Sequence, residues 1–147
     1  MKFLTFKIAA KTFALPIEVV SEVTGDININ PIPNATHDIL GIMNIKGKIV
    51  SVIDMARVFE MSNVVPINLK SGVIILKIAE EMVGILVEEI GDVINIKEAE
   101  ISPLKNVDHD LVHELMSGVY KSGYNSFIVL LDMKKLSEHK GFRHLNG

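Results

Sequence analysis

The sequence predicts an all-β protein with a few short helices, folded as two small five-stranded β-barrels packed side by side, with a single β-sandwich as the alternative on pattern alone. Three observations predict it. Short runs of Val, Ile, Leu and Met recur at even spacing, broken by corners bearing Gly, Asn or Pro, which is the pattern of many short strands. Strands this apolar cannot be left with open edges, and closing a sheet on itself removes them. The chain also carries the same landmarks twice. Gly41 opens a strand, a polar corner Asn44–Lys48, a second strand and then Asp54-Met55; Gly118 opens the same series, ending at Asp132-Met133. The two glycines lie 77 residues apart and the two aspartates 78, so the second hairpin holds one extra residue. Upstream, Phe13–Val23 resembles Val83–Val93, 70 residues further on. Two blocks in one order point to an internal duplication. Residues 1–147 are therefore one domain of two lobes, divided near residues 60–72, with possible exchange of terminal segments between them.

The elements follow in order. Leu4, Phe6 and Ile8 alternate with Thr5 and Lys7 in a half-buried first strand; the chain turns over Ala9–Lys11 and returns from Thr12 to Leu15. Pro16 opens a helical turn, where its missing N–H costs nothing, with Ile17, Val20 and Val23 inward and Glu18 and Glu22 outward. Ile27–Asn30 alternates until Pro31 and Pro33 stop the ladder, and Asn34–Leu40 is loop-like. In the Gly41 hairpin, Gly47 supplies the backbone freedom of a tight reversal. Asp54 suits an N-cap, and Met55, Val58 and Phe59 recur at helical spacing. Glu60–Lys70 breaks periodicity. Gly72–Ile78 and Met82–Val87 are strands turning over Ala79–Glu81, and Val93–Ile96 alternates. Asp108–Met116 reads as a helix stopped by Gly118. The second hairpin, a short helix through Leu136 and a polar tail complete the chain.

Composition narrows the chemistry. Hydrophobic residues make up 48% and mean hydropathy is +0.35, enough for a core with apolar residues left for a contact surface. There is no cysteine, which excludes disulfides, thiol catalysis and cysteine metal sites. A net charge of −3 without a basic cluster argues against nucleic acid. The N-terminus lacks a signal-peptide pattern and no run reaches the ~18 apolar residues of a membrane span, so no membrane insertion is expected and the cytoplasm is the expected compartment.

Enzyme signatures are missing: no Gly-x-Ser-x-Gly elbow, no Gly-x-Gly-x-x-Gly, no P-loop. Asp54 and Asp132 could pair as carboxylates, but both stand where helix caps belong. His109 and His113 stand at i and i+4 beside Asp108, Asp110 and Glu114, a spacing that can present two imidazoles to one metal. The Glu that a metalloprotease places between them is absent, and a solvated helix face is the plainer reading. A metal-dependent enzyme on these four residues is the weakest alternative. Lys46 is a cation at the tip of a stiff hairpin, a contact residue or an ordinary turn lysine.

The stretch Gly41-Ile42-Met43-Asn44-Ile45-Lys46-Gly47-Lys48-Ile49-Val50-Ser51-Val52-Ile53-Asp54-Met55 resembles the signature of CheW-like domains, which runs Gly-Val-x-Asn-Leu-Arg-Gly-x-x-Val-Pro-Val-x-Asp-Leu. Phe13–Val23, Val83–Val93 and the segment from Gly118 are similar to three further blocks of that family, and the resemblance covers residues 1–138. It implies two small β-barrels and a non-catalytic, cofactor-free adaptor. The adaptor couples the cytoplasmic tips of chemoreceptors (methyl-accepting chemotaxis proteins) to the regulatory domain of a CheA-type histidine kinase, and is recruited to membrane-associated receptor arrays. A CheW-like scaffold of another chemosensory or two-component pathway, such as surface motility, is the alternative. By position, the receptor-binding surface falls on Val20, Glu22, Gly41, Ile42, Asn44, Lys46, Gly84 and Val87. The kinase-binding surface is placed near Asp54, Met55, Val58 and Phe59. Three positions depart from the family pattern. Lys46 stands for its Arg, which replaces a planar five-donor fork by a point charge; Ser51 stands for its Pro and Glu88 for its Asp.

Overall fold

The structure is a computed structural model that describes residues 1–33, 37–61, 67–78, 80–103 and 114–139. Among the described residues eleven strands form two sheets. The first holds five, in the order β3 (Val20–Thr24), β6 (Gly72–Ile78), β7 (Glu81–Val87), β5 (Lys48–Asp54) and β4 (Ile39–Ile45). The second holds six: β8 (Glu89–Asn95), β1 (Lys2–Ile8), β2 (Lys11–Pro16), β11 (Ser126–Leu131), β10 (Met116–Gly123) and β9 (Ile101–Ser102). Two short helices, α1 (Met55–Val58) and α2 (Met133–Glu138), follow β5 and β11. The all-β class holds. The strand counts are five and six, and the five-stranded sheet is a barrel joined only loosely along one seam.

The duplication is visible in the register. In β4–β5 a bulge falls between Ile39 and Gly41, and in β10–β11 one falls between Met116 and Gly118, the matching place. A second bulge, between Lys121 and Gly123, has no counterpart in β4–β5 and absorbs the extra residue. Asp54 and Asp132 cap the two helices, accepting from the Ala56 N–H at 2.9 Å and the Lys135 N–H at 3.0 Å. The backbone N–H of each aspartate donates to an equivalent carbonyl, that of Asp38 or Leu115.

The two units exchange their first hairpins. β1–β2 joins the six-stranded sheet, with β2 parallel to β11 and β1 antiparallel to β8. β6–β7 joins the five-stranded sheet, with β7 parallel to β5 and β6 antiparallel to β3. The exchange fuses the cores. One apolar cluster runs from Val52, Ile74 and Ile85 through Phe6, Phe13 and Leu15 to Leu131 and Leu136. The Phe13 ring stacks on Phe6 (5.8 Å) and on Phe59 (5.1 Å), tying β1 and β2 to the end of α1. A smaller cluster of Phe3, Ala14, Ile96, Ile128 and Leu130 fills the six-stranded sheet.

The helical reading of Pro16–Val23 requires correction. Only Ile17–Val19 form a 3-10 turn, and β3 begins at Val20. β3 pairs with β6 through a bulge between Val20 and Glu22, and Val23 is 41% exposed instead of inward. The helix read over Asp108–Met116 lies largely outside the described residues, and Met116 itself is already in β10.

Candidate functional site

The site forms at the seam of the five-stranded sheet, between β4 and the chain that continues β3. Polar residues stand at every second position from Glu22 to Asn30. Ile27 and Ile29 pack on the core, whereas Glu22, Thr24, Asp26, Asn28 and Asn30 face the other way. The seam closes at one point. The Asn30 N–H donates to the Ile42 carbonyl and the Ile42 N–H to the Asn30 carbonyl, both at 2.8 Å. Gly41 permits that approach, since a Cβ there would collide with the Asn30 carbonyl oxygen.

Beyond this bridge the two strands part and enclose a cleft of about 230 Å³, lined by Glu22, Thr24, Asp26, Asn28, Asn30, the β4 residues Met43–Ile45 and Lys46 of the turn. The hairpin tip is a two-residue turn with φ of +51° at Lys46 and +87° at Gly47. Asn44 Oδ1 stiffens it by accepting from the Gly47 N–H at 2.8 Å. At the rim, Lys46 Nζ stands 3.5 Å from Glu22 Oε1, with the lysine side chain 83% exposed. An exposed pair of this kind stabilises little. It orients both groups across the mouth.

Of the residues expected at a receptor contact, Glu22, Asn44 and Lys46 converge on this cleft. Val20 and Ile42 are half-buried beside it, on β3 and at the bridge. Gly41, Gly84 and Val87 are not surface. Gly41 serves the bridge. Gly84 and Val87 lie in β7, the central strand, and both are buried, with the side chains of Val73, Ile75 and Val52 packed over Gly84. The residues of the patch expected to face the kinase are buried. Asp54, Met55, Val58 and Phe59 are 1%, 0%, 1% and 5% exposed. A single helical turn laid on the core buries every residue but Arg57, whose Nη1 donates to the His37 carbonyl at 2.9 Å. His109 and His113 lie outside the described residues.

The ladder Thr24, Asp26, Asn28 and Asn30 was not singled out as a site from the sequence. Its signal is the polar alternation begun at Glu22, hidden because the strand was read as a helix as far as Val23.

The family model for the CheW-like domain matches residues 2–141. The chain belongs to the CheW-like family. Its fold is that of the scaffolding protein TtCheW from Thermoanaerobacter tengcongensis, with a TM-score of 0.80 and 30% identity over 95% of this chain and 89% of that one. Among characterised relatives, the chemotaxis protein CheW of Klebsiella aerogenes is 28% identical over 92% of this chain and 80% of its own. The chemotaxis protein CheW of Treponema pallidum is 25% identical over 98% and 86%. On this fold, the seam cleft is the place where two backbone devices, the Gly41 bridge and the Lys46-Gly47 turn, meet exposed charge.

Proposed function

We propose that the chain is a non-catalytic chemotaxis adaptor that couples the cytoplasmic tips of chemoreceptors to a CheA-type histidine kinase. The observation that carries this is the family match over residues 2–141 together with an exposed, rigidly mounted polar corner on that fold. Val20 and Ile42 offer half-buried apolar contact to a receptor helix, and Glu22, Asn44 and Lys46 set its orientation. Apolar anchors with a charged rim give a modest interface both affinity and register. The two carboxylates that tempted a catalytic reading hold helix N-termini instead. Among the described residues no helix is long and apolar enough to cross a membrane, and an adaptor of this kind reaches the membrane through its receptor.

The test uses the purified chain, a receptor cytoplasmic hairpin fragment and the kinase regulatory domain. Both partners bind the wild-type chain, and Lys46→Glu loses the receptor fragment while keeping its melting temperature and the kinase. Undiminished receptor binding by Lys46→Glu removes this corner from the interface.

A further inference from the structure

The second copy of the duplicated unit shows how completely a seam of this kind can close. There the chain leaving β8 buries Ile96 in the core, and β9 pairs twice with β10, Ile101 with Tyr120 and Ser102 with Val119. In the first copy, among the described residues, the Asn30–Ile42 bridge is the one pairing across the seam, and the strands diverge around the cleft.

The backbone of that cleft is aimed inward. Ile42 uses both its N–H and its C=O on Asn30, so in an antiparallel ladder Met43 and Ile45 point theirs at β5, and Asn44 points its own into the cleft. By the same alternation Asn28 faces Asn44 from the opposite wall. The side chains add two carboxylates, Glu22 and Asp26, against one ammonium, Lys46, a local charge of −1. Glu22 already meets Lys46. Among the described residues no hydrogen bond or ion pair engages the side chains of Asp26, Asn28 or Asn30. The Asp26 backbone N–H is held by Thr24 Oγ1 at 3.1 Å, which fixes the carboxylate's attachment point.

We propose that this cleft seats an arginine side chain of the receptor tip, with Asp26 and Glu22 as its carboxylate acceptors and Asn28 and the Asn44 carbonyl completing the set. This rests on the adaptor reading and adds to it Asp26 and Asn28 as residues that determine which receptor is accepted. At about 230 Å³ the cleft is smaller than pockets built for small molecules and suits one long side chain. Its acceptors stand on two facing walls. A guanidinium carries five donors in one plane and can meet both, whereas an ammonium is a point charge that satisfies one. Lys46, already mostly in solvent, swings from Glu22 to an acidic group one helical turn along the same receptor helix, where neighbours on one face lie about 5–6 Å apart.

The experiment has two arms on the full chain. In the first, backbone amide shifts are followed by NMR while N-acetyl-arginine amide is added, with N-acetyl-citrulline amide as the neutral isostere. Saturable shifts at Asn28 and Asn44 with arginine and not citrulline are expected, weakened roughly three- to tenfold in Asp26→Asn, which removes one solvent-screened charge-assisted contact. Equal, non-saturating shifts with both compounds overturn the proposal. In the second, the receptor hairpin fragment is titrated into wild type, Asp26→Asn and Lys46→Glu. Weakened binding by Asp26→Asn supports the subsite. Wild-type binding by Asp26→Asn with loss in Lys46→Glu overturns the subsite and leaves the adaptor reading standing. Saturation by arginine amide without binding of the receptor fragment to wild type overturns the adaptor reading and keeps the pocket. Asp26 is exposed and bears no packing role, so a matching melting curve verifies that the variant is folded.

Discussion

Gly41→Ala tests whether the seam is held by one point. The new methyl group meets the Asn30 carbonyl oxygen and lies 2.9 Å from Ile29 Cγ2, so the chain at 29–30 must retreat. Retreat breaks the two reciprocal hydrogen bonds of the Asn30–Ile42 bridge, each 2.8 Å and each contributing about 0.5–1.5 kcal/mol. It also loosens Ile27 and Ile29 from the core, and overpacking of this sort costs about 1–3 kcal/mol. Replacing Gly by Ala restricts the unfolded chain and returns about 0.4–1 kcal/mol. The net loss is about 1–5 kcal/mol, a large share of the stability of a small domain. Urea unfolding followed by circular dichroism reads it: with a slope of about 2 kcal/mol/M the midpoint falls by about 0.5–2.5 M. Gly25→Ala is the control, because nothing lies within 4 Å of its added Cβ, and its midpoint stays put. A Gly41→Ala midpoint within about 0.3 M of wild type refutes the argument that this glycine holds the seam. If the variant also binds receptor poorly, the loss comes through the fold, since Gly41 is buried.

Three further outcomes follow from the packing. Phe59→Ala removes a ring stacked 5.1 Å from Phe13 and lowers stability by about 3–5 kcal/mol in calorimetry, a core effect and not a docking effect. Asp54→Ala strips a cap that is 1% exposed and leaves the partly buried Arg57 Nε, 4.0 Å from its carboxylate, without that charge; it costs about 2 kcal/mol in chemical unfolding, against about 1 kcal/mol for the more open Asp132→Ala. Lys46→Ala breaks only a solvent-exposed ion pair and shifts stability by less than about 0.5 kcal/mol, so any change it makes in receptor binding is direct.

Local chemistry was legible in the sequence and long-range pairing was not. Period-2 apolar alternation marked Leu4-Phe6-Ile8 and the two hairpins, because a strand exposes its faces in turn whatever its neighbours are. The Gly and Asp-Met landmarks revealed the duplication, down to the single extra residue that becomes the bulge at Lys121–Gly123. The caps at Asp54 and Asp132 were readable because a cap is made within three residues. Val20–Val23 misled because Ile17, Val20 and Val23 recur at intervals of three, as on a helix face, and pairing with β6 made the segment from Val20 a strand.

Tertiary structure alone decided the rest. That β1–β2 and β6–β7 change places is a matter of which edge each hairpin finds, and no local pattern encodes an edge 70 residues away. Burial of Met55, Val58, Phe59, Gly84 and Val87 followed from that exchange, since a central strand and a helix laid on a fused core lose the face the sequence seemed to offer. The sequence by itself determined that the chain is strands, turns and caps repeated twice, because those are set by short-range sterics and hydrogen bonding. Only the fold brought Glu22, Asp26 and Asn28 opposite Asn44 and Lys46, because a cleft exists only where two distant strands meet at one point and then part.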